Sequence, residues 1–187
     1  MTKYSWPNHL AWLISLLFHP IHSFLYWLLF ANELSLALFL GTYIFPIISI
    51  YLFINRFKNF NLNGLTLFQR RGTYLIQLFW NLLAIFFFIE PRFTDAKATL
   101  YVSVALLLIM FGIEFWKRTS LHIAGSVALL GLILYSGFTN IVLVGFMLVG
   151  IAAIAWARLR LKAHTPEEIL RGVGVGLVSF ALAAVIF

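Results

Sequence analysis

Long apolar runs without charge alternate with short charged clusters along the whole chain. Residues 4–32, 34–55, 73–89 and 121–157 contain no Asp, Glu, Lys or Arg, and residues 98–115 carry Glu114 near their end as their one charged residue. A bilayer hydrocarbon core of about 30 Å is crossed by roughly 20 helical residues. Runs of this length therefore predict membrane-crossing helices, near 20–32, 34–55, 73–89, 98–115, 121–136, 140–157 and 169–187. The 37 residues of 121–157 are too many for one crossing and predict a hairpin, turning at Tyr135-Ser136-Gly137-Phe138-Thr139-Asn140. Pro20, between His19 and His22, interrupts the first run. It predicts a short interfacial or re-entrant helix near 8–18 before the first span, with a single kinked span as the alternative. Pro46 predicts a bend in the next span. The expected fold is a single all-α integral membrane domain over residues 1–187, a bundle of about six transmembrane helices with a short N-terminal helix.

Composition agrees with this pattern. Of 187 residues, 63% are hydrophobic and 10% charged, against about 45–50% and about 25% for soluble domains. With no Cys, disulfides and thiolate metal sites are excluded. No small-residue cleavage site follows the N-terminal run, so no removable signal peptide is expected. The net charge of +7 belongs to loops and anionic head groups; no basic run is interleaved with a soluble fold, which argues against nucleic acid. The polar clusters 56–71, 116–120 and 158–167 are separated by two spans each and therefore open on one side. Arg92 and Lys97 fall on the other. This asymmetry is what a composite site requires, and equally what the positive-inside rule produces.

Two clusters carry candidate chemistry. His164 and Glu168 lie four residues apart. A carboxylate on one imidazole nitrogen fixes the tautomer and raises the basicity of the other, so His164 is a candidate nucleophile. Arg158 offers a planar fork of donors suited to phosphate oxygens. The same letters, Thr165-Pro166-Glu167-Glu168, also read as a capping box with Pro at the first helical position. In Thr119-Ser120-Leu121-His122, Ser120 is an N-cap candidate or, with the helix-start amides, a phosphate donor. His122 lies in the first turn of an apolar span, as a candidate general acid or an interfacial hydrogen-bonding residue. The glycines Gly172, Gly174 and Gly176 predict close approach of the last helix to a neighbour; their spacing is not that of a dinucleotide-binding turn.

Together these clusters resemble the second and third signature motifs of the type 2 phosphatidic acid phosphatase and vanadium haloperoxidase superfamily. The second motif reads Pro-Ser-Gly-His, and Thr119-Ser120-Leu121-His122 keeps Ser and His. The third reads Ser-Arg-x5-His-x3-Asp, and Ala157-Arg158-x5-His164-x3-Glu168 keeps Arg and His with Glu for Asp. The first motif, Lys-x6-Arg-Pro, has no match. The resemblance implies a small bacterial member of the cell inner membrane that hydrolyses a lipid phosphate or polyprenyl diphosphate without metal or other cofactor. His164 would be the nucleophile, Glu168 its orienter and His122 the acid. Arg158 and Ser120 would bind phosphate, with a clamp rebuilt from Arg70, Arg71 and Lys117. Loop charge argues for a cytoplasmic site, whereas bacterial relatives with this motif set often act on the outer face. The alternative is an inactive relative that binds lipid head groups or scaffolds partners. A small transporter is disfavoured by the lack of a repeated broken-helix segment.

Overall fold

The computed structural model describes residues 6–17, 40–56, 66–88, 94–135 and 140–185. The span expected near 20–32 and the loop tips near 58, 92 and 138 lie outside the described residues. Among those described, every regular element is helical: α1 (Trp6–Leu17), α2 (Phe45–Arg56), α3 (Leu67–Leu83), α4 (Thr94–Ile113), α5 (Leu121–Tyr135), α6 (Ile141–Arg160) and α7 (Pro166–Ala184). Helix α6 is long and apolar enough to cross a membrane, and Leu40–Arg56, Lys97–Ile113 and Leu121–Tyr135 are shorter apolar helices.

Local sequence explains where these helices begin. Thr66 caps α3, accepting from the Gln69 amide while the Gln69 side chain accepts from the Thr66 amide. This capping box starts the helix before the arginines, so Arg70 and Arg71 are helical and not part of a loop. Asn140 caps α6 by accepting from the amides of Val142 and Leu143 at 3.0 and 3.3 Å. A π-helical turn, Leu40–Ile44, precedes α2. Pro46 has no N–H for the carbonyl of Thr42, and the side-chain amide of Gln77 donates to that carbonyl instead, at 3.4 Å.

The centre of the fold is the α5–α7 pair, with α4 packed on both. Small residues allow it. Gly172, Gly176, Ser179 and Ala183 form the buried seam of α7, against the fully buried Ala124 and Ala128 of α5. A Cβ at Gly172 would lie 2.8 Å from the Ser120 carbonyl oxygen, and one at Gly176 would lie 2.5 Å from that of Ala124. A Cβ at Gly174 would meet nothing within 4 Å among the described residues. Two of the three glycines are thus used for close approach, and their four-residue spacing is that of a small-xxx-small seam.

Several polar side chains are buried beside the apolar core, and many large apolar ones are exposed. Asn81 donates to the hydroxyl of Ser103 at 2.7 Å and accepts from Gln77 at 3.1 Å. Trp80 donates to Ser49 at 3.0 Å. Meanwhile Ile141, Val142, Val149, Leu170 and Leu177 face outward. Helix α1 packs against α6, and its Ile14 joins the cluster of Ile123, Val127 and Ile154.

Candidate functional site

The starts of α5 and α7 and the end of α6 meet at one end of the helical assembly. Because Gly172 lets the backbones close, the Ser120 N–H donates to the carbonyl of Glu168 at 3.2 Å. That bond joins the two sequence clusters directly. Ser120 is fully buried, and its hydroxyl has no hydrogen-bond partner among the described residues.

His164 reaches the site through the way α6 ends. The Lys162 N–H donates to the Leu159 carbonyl and the Ala163 N–H to that of Arg158, with Lys162 at φ 52°. This is the Schellman arrangement, with Lys in the left-handed position usually taken by Gly. The chain therefore folds back on the last turn of α6, and the His164 N–H approaches the same Arg158 carbonyl at 3.4 Å. Arg158 sits inside the final turn of the helix and not beyond it.

The His164 ring is buried, and its Nδ1 is 2.8 Å from Glu168 Oε2. The same oxygen accepts from the Thr165 N–H at 3.2 Å, while Thr165 Oγ1 accepts from the Glu168 N–H at 3.3 Å. The capping box and the imidazole contact coexist on one carboxylate oxygen. Burial is the largest influence on His164, followed by the positive field of Arg158. Glu168 pulls the other way without prevailing, and the imidazole pKa falls to about 4. Burial would raise the Glu168 carboxyl. The hydrogen bonds from His164 and the Thr165 amide outweigh it, helped by the charge of Arg118, and hold it below the usual value. Near neutral pH the pair is then a neutral imidazole donating from Nδ1 to a carboxylate. The Nε2 lone pair takes no part in that hydrogen bond.

Arg158 donates from Nη1 to Ser15 Oγ at 2.8 Å, and its buried Nε has no partner among the described residues. Arg70 is buried and donates from Nη2 to Glu114 and to the Thr119 carbonyl, the latter at 2.9 Å. The same nitrogen lies 3.4 Å from the Tyr74 hydroxyl. Glu114 also accepts from the Thr119 N–H at 3.3 Å. Arg71 points elsewhere: it donates to the Glu114 carbonyl at 2.9 Å and lies 3.8 Å over the Phe115 ring. Lys117 is exposed on the turn after α4, and His122 is half-buried in the first turn of α5.

The structure therefore gathers Ser120, His164, Glu168, Arg158 and Arg70 around one end of the α5–α7 pair. Arg71 is turned toward the backbone that supports them, and Lys117 stays at the surface. Sequence reasoning noted Glu114 only by its position near a helix end and did not assign Ser15. The Thr66-x-x-Gln69 capping box was the local signal that Arg70 lies on a helix. For Glu114, the signal was a carboxylate beside an apolar run with arginines as candidate partners. Among the described residues no group of three or more His, Asp or Glu gathers to hold a metal ion. The chain matches no protein-family model, no curated protein and no solved structure.

Proposed function

We propose that the chain is a multi-pass membrane protein of about six spans that hydrolyses an amphiphilic phosphate or diphosphate ester through a phosphohistidine, as the resemblance of its motifs implies. The bilayer assignment is supported by the apolar runs, the length of α6 and the many large apolar side chains exposed on the helices. The observation that carries the activity is the His164–Glu168 pair beneath Arg158. It supplies a neutral imidazole, oriented through Nδ1, beside a guanidinium with an unbonded N–H.

In this reading the Nε2 lone pair of His164 attacks phosphorus in line, and the bond from phosphorus to the leaving oxygen breaks. His122 donates a proton to that oxygen. Arg158 and Arg70 face the charge spreading over the equatorial oxygens, and the Ser120 hydroxyl adds a donor. Water then attacks phosphorus, the N–P bond breaks, and His122 takes the water proton. Arg71 acts through the Glu114 backbone, and Lys117 attracts the anionic head group at the surface. A site at helix ends beside an apolar exterior suits a lipid phosphate or polyprenyl diphosphate.

Phosphate release from phosphatidate and from a polyprenyl diphosphate, measured in detergent without divalent metal, tests the proposal. His164→Ala is expected to lower release by about 10⁴-fold, and wild-type protein trapped with radiolabelled substrate in acid-quenched reactions should carry acid-labile phosphate. Equal release from wild type and His164→Ala would sink the mechanism.

A further inference from the structure

Ser15 precedes Arg158 by 143 residues, yet the two side chains meet, Nη1 donating to Oγ at 2.8 Å. The contact is a built one. Ser15 is 6% exposed, and Ala11, one turn earlier on α1, is fully buried. Ile14 beside it packs into the cluster of Ile123, Val127 and Ile154. A hydroxyl on such a seam loses its hydration unless a partner replaces it, and Arg158 is that partner. Among the described residues no carboxylate pairs with Arg158, and its buried Nε makes no hydrogen bond.

We infer that Ser15 is a positioning residue for Arg158, so that α1 completes the anion site formed at the end of α6. The hydroxyl holds the Nη1 side of the guanidinium. A neutral partner leaves the positive charge of Arg158 uncompensated by any carboxylate among the described residues, and that charge can draw a phosphate. A carboxylate at the same place would hold the fork more strongly but would repel the ligand. The identity of the ligand rests on the phosphatase reading; the coupling of Ser15 to Arg158 does not.

The experiment uses full-length protein in detergent, as wild type, Ser15→Ala, Ser15→Thr, Arg158→Lys and the double variant Ser15→Ala/Arg158→Lys. Two readouts are taken: release of phosphate from phosphatidate, and binding of inorganic phosphate by calorimetry. Losing one hydrogen bond to a charged group is expected to weaken phosphate binding, and to lower kcat/KM, by about tenfold. Ser15→Thr, which keeps the hydroxyl, should recover most of both. In the double variant the two losses should fall short of additive, because both act on one contact. Unchanged phosphate binding in Ser15→Ala overturns the inference, as does strict additivity or a loss that Ser15→Thr fails to recover. If wild type binds phosphate but releases none from lipid, and Ser15→Ala still weakens binding, the inference holds and the phosphatase reading falls. If wild type neither binds nor releases phosphate, both fall.

Discussion

Arg70 and Arg158 reach the same end of the helical assembly under opposite electrostatic terms. Arg70 is held by the buried carboxylate of Glu114, by the Thr119 carbonyl and by Tyr74, all through one terminal nitrogen. Arg158 has a serine hydroxyl and, among the described residues, a buried N–H with no partner. A buried arginine with a carboxylate is a structural joint, and breaking it leaves an uncompensated charge. A half-buried arginine with only a neutral partner keeps its field for another anion. Under the proposed function, Arg158 would carry the larger share of ligand binding and Arg70 would have a structural task. It fixes the Glu114–Thr119 segment that leads into Ser120.

The largest expected consequence is catalytic. If the proposed activity holds, Arg158→Ala should lower kcat/KM for a lipid phosphate by about 10³-fold, the scale of arginines that stabilise phosphoryl transfer, with a stability loss of about 1–3 kcal/mol from the unpaired Ser15 hydroxyl. A large loss of stability with unchanged kcat/KM would reverse the roles of the two arginines. Glu114→Ala should show the opposite balance. Leaving Arg70 buried and unpaired is expected to cost about 3–5 kcal/mol of stability, read from denaturation in detergent. Replacing Arg70 and Glu114 together by Met and Leu should recover much of that stability without recovering full activity.

A third prediction concerns the seam that brings these parts together. Gly172→Ala pushes a methyl against the Ser120 carbonyl and Ile123, and overpacking of this kind costs about 1–3 kcal/mol. Gly174→Ala meets open space and should be neutral, or stabilising by about 1 kcal/mol through helix propensity. Equal effects at the two positions would mean that the α5–α7 approach does not depend on Gly172.

The smallest effect is in the titration of His164. Its pKa is depressed to about 4, so a folded state holding it neutral loses stability as pH falls below its unfolded value near 6.5 and toward 4. The acid limb of kcat/KM should accordingly lie well below 6.5. Because Arg158 is part of the cause, Arg158→Gln should raise the His164 midpoint followed by NMR of labelled imidazoles. A midpoint that does not move would separate Arg158 from the imidazole electrostatically.

What the sequence determined by itself was local. Runs of apolar residues predicted helices that the structure contains at 45–56, 67–83, 94–113, 121–135, 141–160 and 166–184. Thr165-Pro-Glu-Glu specified a capped helix start, and the four-residue spacing of His164 and Glu168 placed both on one turn. These follow from helix periodicity and capping, which act within a few residues. The tertiary structure decided which charged groups work together. Arg70 and Arg71 are neighbours in sequence, but α3 turns one toward Glu114 and Thr119 and the other toward Phe115. Ser15 meets Arg158 only because α1 packs on α6, and Ser120 meets Glu168 only because Gly172 and Gly176 let two backbones close. Such contacts depend on how distant segments approach, and no spacing along the chain encodes that distance.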